Sequence, residues 1–127
     1  MIRNPEHGSI WLANLQKKQG TEPGKIRPVF ILQNQDLLDA NHPSTLIIPL
    51  TTNLVDDAEP LRLRVKAAGD LDQDSDLMID QIRAIDNQRL IKGPLLQVDK
   101  EFLAQVYVAV QEVMGICLLY TSDAADE

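Results

Sequence analysis

Along residues 9–15 apolar side chains occupy both alternating sets. Ile10 and Leu12 fall on one, and Trp11, Ala13 and Leu15 on the other, which predicts a strand buried on both faces. Residues 16–26 are polar and carry Gly20, Pro23 and Gly24, so they read as a long loop. Pro28 cannot donate to a ladder, so the second strand is expected only beyond it, over residues 29–32. Residues 33–42 are polar, with room for one helical turn around Asp36 to Asp39. Residues 45–50 are rich in β-branched side chains and predict a third strand, with Pro49 marking an edge or a bulge. Leu61-Arg62-Leu63-Arg64-Val65-Lys66 alternates strictly, apolar inward and basic outward, as a half-exposed strand does. Residues 77–79, 82–85 and 95–98 are short strand candidates.

The last element has the period of a helix. Val98 and Leu103 form a hydrophobic staple around Asp99 as N-cap. Leu103, Val106, Val110 and Val113 recur at three- and four-residue spacing, with Phe102 and Ala109 beside them. Gly115 is the expected stop. The pattern predicts a mainly β fold: five to seven short antiparallel strands in a small, partly open barrel, closed on one side by a C-terminal helix. It contains no internal repeat and no βαβ alternation.

Composition narrows the classes. At 127 residues, 44% hydrophobic and 24% charged, the chain has the size and make-up of one globular domain with its own core. Its longest apolar runs, Val29-Phe30-Ile31-Leu32 and Leu46-Ile47-Ile48, fall far short of the ~20 residues that span a bilayer. Asn4, Glu6 and His7 interrupt any signal pattern, so a cytoplasmic protein without membrane contact is expected. Twelve basic against 19 acidic residues give a net charge of −7, which excludes a general grip on polyanions. Nucleic-acid contact then needs a local basic island.

Residues 117–127, CLLYTSDAADE, are similar to a frame translation of a common transposon-based sequencing adapter. On that reading the native domain is residues 1–116. Without Asp123, Asp126 and Glu127 the balance becomes 12 basic against 16 acidic residues, and the single cysteine, Cys117, leaves with the tail.

Several chemistries lack their residues. Asp70, Asp72, Asp74 and Asp76 alternate as in a calcium loop, but Ser75 and Gln81 stand where that loop needs glycine and a bidentate glutamate, so a solvated acidic loop is expected. His7 and His42 lack ligand spacing, so no metal is expected. No glycine-rich phosphate loop opens a helix, no serine occupies a nucleophile elbow, and no cofactor is implied. What remains is the first long loop, where Lys17, Lys18, Lys25 and Arg27 face only Glu22. This is either a solvated loop or a clamp for a phosphate or carboxylate. Arg27 stands apart because it adjoins Pro28 and a buried strand, and rigid elements are where precise sites sit.

Four pieces of the chain together resemble the MazF/PemK (Kid) endoribonuclease toxins. The first is Gly8-Ser9-Ile10-Trp11 followed by Gly20-Thr21-Glu22, Gly24 and Arg27-Pro28. The second is Ile48-Pro49-Leu50-Thr51-Thr52, and the third is Asp80-Gln81-Ile82-Arg83-Ala84-Ile85-Asp86. The helix ending at Gly115-Ile116 is the fourth, so the resemblance spans residues 7–116. It implies an SH3-like barrel of the CcdB/PemK type, a homodimer, and metal-independent cleavage of single-stranded RNA at a short sequence. The implied products are a 2′,3′-cyclic phosphate and a 5′-hydroxyl. The implied partner is an acidic, partly disordered antitoxin, with DNA binding by the pair.

Arg27 and Thr51 match the family's two catalytic positions. The guanidinium can hold two phosphoryl oxygens, and the threonine hydroxyl can donate to one. Family accounts also give the arginine proton transfer, which sits poorly with a guanidinium pKa above ~12. Electrostatics is therefore the role read here for Arg27. Glu22 is the nearest carboxylate in sequence and the candidate base or arginine orienter. In the Kid-like branch the aspartate matching Asp80 is the base, helped by an arginine and a histidine; Met78 and Thr21 stand at those positions here. The MazF-like Arg/Thr pair is the better reading, with Asp80 and Gln81 positioning the loop or reading a base edge. Thr21, Lys25, Thr52 and Asn53 complete the candidate RNA contacts. Trp11 reads as core, and aromatic residues are too few for a stacking platform, so loop hydrogen bonds in a groove shared by two subunits should read the bases. Arg62, Arg64 and Lys66 either extend that groove or form a solvated face. Two alternatives share the fold: a CcdB-type toxin that binds DNA gyrase without catalysis, and a decayed binding module. Arg27-Pro28 with Thr51 favours the nuclease.

Overall fold

The computed structural model describes residues 5–15 and 25–116. Its strands are β1 (Ser9–Asn14), β2 (Ile26–Ile31), β3 (Ser44–Thr51), β4 (Arg62–Val65), β5 (Ser75–Met78), β6 (Arg83–Asp86) and β7 (Leu90–Gln97). A short helix, α1 (Gln35–Asp39), follows β2, and α2 (Lys100–Met114) closes the described chain. The seven strands form one antiparallel, open sheet in the order β4-β5-β3-β2-β1-β7, with β6 also paired to β3.

The double alternation of β1 has its cause in two cores. Ile10 joins Phe30, Ile48, Leu50, Leu77 and the α2 residues Val106 and Ala109 on one side of the sheet. Trp11 and Ala13 join Val29, Ile31, Leu38, Ile47 and Ile85 on the other. The helix forms as its pattern predicts. Asp99 Oδ1 accepts the Phe102 N–H at 2.8 Å, and Gly115 ends the helix at φ 78°. Phe102, Leu103, Val110 and Val113 pack against the first core. His7 is taken up structurally: its Nδ1–H donates to Gln33 O at 2.9 Å, and its ring stacks on Tyr107.

The strands depart from expectation at Pro28, at Pro49 and at the start of β7. β2 begins at Ile26, before Pro28, because β3 pairs only from Val29 onward. Pro28 thus faces Leu12 of β1 on a stretch whose other side needs no donor. Pro49 lies inside β3 opposite Val29, neither at an edge nor at a bulge. It falls where the other side of β3 changes partner, from β6 (Ser44 to Ile47) to β5 (Leu50 and Thr51), and no ladder bond is due there. β7 starts at Leu90 and not at 95, passing through Gly93 and Pro94. The β1–β7 register shifts at Leu12, so a bulge absorbs them.

Gly93 is there because Trp11 lies against it. A Cβ would sit 2.8 Å from Trp11 Cε2 and closer still to Cγ and Cδ2. Trp11 is buried in a close-packed core, so moving it aside disturbs its neighbours. Gly93→Ala is therefore expected to destabilise the fold by about 1–3 kcal/mol, the usual cost of overpacking. Urea denaturation of the variant checks this, and an unchanged midpoint would mean that the indole can shift.

Candidate active site

Arg27 is held on β2 opposite Ala13 and is half-buried. Its Nη1–H donates to Leu50 O at 3.4 Å, a long bond and the one its side chain makes among the described residues. Thr51 follows Leu50 at the end of β3, so this contact brings the guanidinium beside it. Arg27, Thr51, Thr52 and Ser75 line one cleft of 230 Å³, with Ile26, Pro28 and Leu50 as its apolar wall. On its other side Arg27 lines a second cleft of 440 Å³ together with Lys25, Gln81 and Arg83. Among the described residues the two clefts carry three cations and no carboxylate, in a chain of net charge −7. A permanently charged planar fork beside a hydroxyl suits a tetrahedral oxyanion such as a phosphate.

The family model for the PemK-like, MazF-like toxin of type II toxin–antitoxin systems matches residues 6–114. The chain belongs to this family. The Endoribonuclease MazF of Staphylococcus saprophyticus is 32% identical over 110 residues, covering 86% of this chain and 90% of that protein. Among solved structures, MazE–MazF from Deinococcus radiodurans superposes with a TM-score of 0.74 at 18% identity, covering 91% of this chain and 100% of that one. The Mycobacterium tuberculosis toxin MazF-mt6 gives 0.71 at 19% identity, covering 86% and 98%. At those identities the structural likeness establishes the fold.

The toxin's other candidate residues divide by where the fold puts them. Lys25 and Gln81 meet Arg27 in the larger cleft, and Thr52 meets it in the smaller. Asp80 is exposed on a 3-10 turn (Ile79–Gln81) and lines neither cleft. Asn53 is exposed; its N–H donates to Thr51 Oγ1 at 3.1 Å. A threonine oxygen that accepts there still has its own O–H to give. Thr21 and Glu22, with Lys17 and Lys18, lie outside the described residues.

Two expectations about charge are corrected. Arg62 and Arg64 are not a solvated face; both turn onto Asp76 of β5. Asp76 in turn is not part of a solvated loop, for it is fully buried. Its Oδ1 accepts Arg64 Nε–H at 2.7 Å and its Oδ2 accepts Val55 N–H at 2.9 Å, with Arg62 Nη1 at 3.5 Å. Burial pushes the Asp76 carboxyl up, but the Arg64 bond, the Val55 N–H and the two arginine charges outweigh it and leave its pKa below the ordinary carboxylate value. The same bond, with a second from Asp56, raises Arg64. Arg83 joins the site only through the fold; its one signal in the sequence is its place in the Asp80–Asp86 segment, two residues beyond Gln81.

Proposed function

We propose that this toxin is an endoribonuclease that cleaves single-stranded RNA at a short sequence, with Arg27 and Thr51 at the scissile phosphate. The observation that carries the reading is that these two side chains line one cleft, free of carboxylates among the described residues. Family membership and the likeness to an Endoribonuclease MazF support it. In the reaction the ribose 2′-oxygen loses its proton and bonds to phosphorus. The bond from phosphorus to the 5′-oxygen breaks, and that oxygen takes up a proton. Arg27 neutralises the charge that builds on the phosphoryl oxygens, and Thr51 donates its O–H to one of them. Glu22 is the candidate base or orienter of Arg27. Lys25, Thr52, Asn53, Asp80, Gln81 and Thr21 are assigned to backbone and base contacts.

The toxin is read as a cytoplasmic homodimer whose RNA groove crosses the subunit interface. Its antitoxin is an acidic segment that covers the cationic clefts, in keeping with the MazE–MazF complex among its structural relatives. Residues 1–116 are proposed as the native domain and 117–127 as an adapter-derived tail.

The test uses the purified protein with a long, mostly unstructured RNA in excess EDTA. Cuts are mapped by primer extension, and the new 5′ ends are labelled by polynucleotide kinase without prior phosphatase treatment. Discrete cuts at a recurring short sequence, directly labelled and undiminished by EDTA, are expected, because Arg27 supplies the positive charge. RNA left intact by a folded protein overturns the reading. Cleavage lost in EDTA and restored by magnesium overturns the mechanism.

A further inference from the structure

We infer that the buried Asp76 is a positioning residue for Thr51, acting through the turn that follows it. The inference rests on the proposed RNA cleavage for its catalytic consequence and on hydrogen bonds alone for its structural one. Strand pairing puts Asp76 directly opposite Thr51. From there the turn is tied down at three successive points. Asn53 O accepts Arg62 Nη1–H at 3.2 Å, and Arg62 lies 3.5 Å from Asp76. Val55 N–H donates to Asp76 itself. Asp56 pairs at 2.9 Å with Arg64, which Asp76 also holds.

The geometry reaches Thr51 through Asn53. With its carbonyl fixed by Arg62, Asn53 presents its N–H to Thr51 Oγ1. That bond selects one χ1 well of a β-branched side chain and occupies the oxygen as an acceptor. The hydroxyl proton is then left for an acceptor in the cleft shared with Arg27. An apolar pair of equal volume serves stability about as well as a buried ion pair. Only the charged set gives directional bonds to a backbone carbonyl, a backbone amide and a carboxylate at once. Asp76 touches no substrate in this account; its effect falls on the orientation of Thr51.

The test compares the full-length wild type with Asp76→Asn, Arg62→Met, Thr51→Ala and the Asp76→Asn/Thr51→Ala double variant. Amide exchange by NMR, without RNA, is the first readout. Val55 and Asn53 should exchange about ten-fold faster or more in Asp76→Asn while core amides of β2 and β3 stay protected. Unchanged exchange at Val55 overturns the anchor. Kinetics on a short RNA oligonucleotide is the second. Asp76→Asn should lower kcat about ten-fold or more with KM held within about two-fold, the sign of a misplaced catalytic group. The double variant should match Thr51→Ala. Additive losses, an unchanged kcat or a change in KM alone overturn the positioning role. Should Asp76→Asn fail to fold, Arg62→Met, which cuts the tie to Asn53 and the 3.5 Å contact with Asp76 but leaves Asp76 bonded to Arg64 and Val55, is held to the same kinetic outcomes. RNA left intact by the folded wild type removes the cleavage reading and Thr51's role with it, whereas faster exchange still establishes the anchor.

Discussion

Arg27→Ala is expected to cut RNA cleavage by about 10²–10³-fold or more, the usual loss when one donor to a developing oxyanion is removed. The fold should survive, because the side chain is half-buried and its one bond within the described structure is the long contact to Leu50 O. Losing such a bond costs about 1 kcal/mol. Arg27→Lys should recover only part of the rate. A lysine restores the charge but not the fork that spans two oxygens. Single-turnover cleavage of an oligonucleotide gives the rates, and circular dichroism gives the fold. Full activity in Arg27→Ala would remove this residue from the mechanism and leave the phosphate charge to another group.

The second large effect is on stability. Breaking a buried ion pair by deleting one partner costs about 3–5 kcal/mol when the other charge stays buried. Arg62 and Arg64 keep 24% and 32% of their side chains exposed, so both can turn to water once Asp76 is gone. Asp76→Ala is therefore expected to cost about 2–3 kcal/mol, which includes the orphaned Val55 N–H. The sign of the pH dependence follows from the lowered carboxyl. A depressed pKa means that the folded state holds the charged form better than the unfolded chain does. That stability is fully present above the unfolded value, about 3.9, and is lost as pH falls through the lower folded value. Thermal melts of wild type and Asp76→Ala should differ at neutral pH and converge in acid. Melting curves that stay parallel down to the lowest pH would deny the carboxylate this role.

The two arginines and Asp76 also mark where the sequence stops being readable. The alternation in residues 61–66 separated Leu63 and Val65, both buried, from the basic set, but Leu61, also expected inward, precedes β4 and is exposed. The pattern could not say what the basic set would face. β4 pairs with β5 so that Arg64 lies opposite Asp76, and the loop from β3 to β4 brings Asp56 to the same arginine. Asp76 looked like the fourth member of an acidic loop because Asp70, Asp72 and Asp74 precede it at the same spacing, and those three are exposed. The strand begins at Ser75, and that boundary turned a solvated acid into a buried one.

By itself the sequence determined the elements whose cause is local. The caps of α2 lie within a few residues of the helix they end. The two apolar sets of β1 announce two cores, and Arg27-Pro28 and Ile48-Pro49-Leu50-Thr51-Thr52 can be recognised as written. Tertiary structure alone decided which side chains meet. It set Arg27 against Leu50 and Thr51, Gly93 against Trp11, and Asp76 among Arg62, Arg64 and Val55. The physical reason is that periodicity fixes the face a side chain takes, whereas its partner depends on the register between strands far apart in the chain.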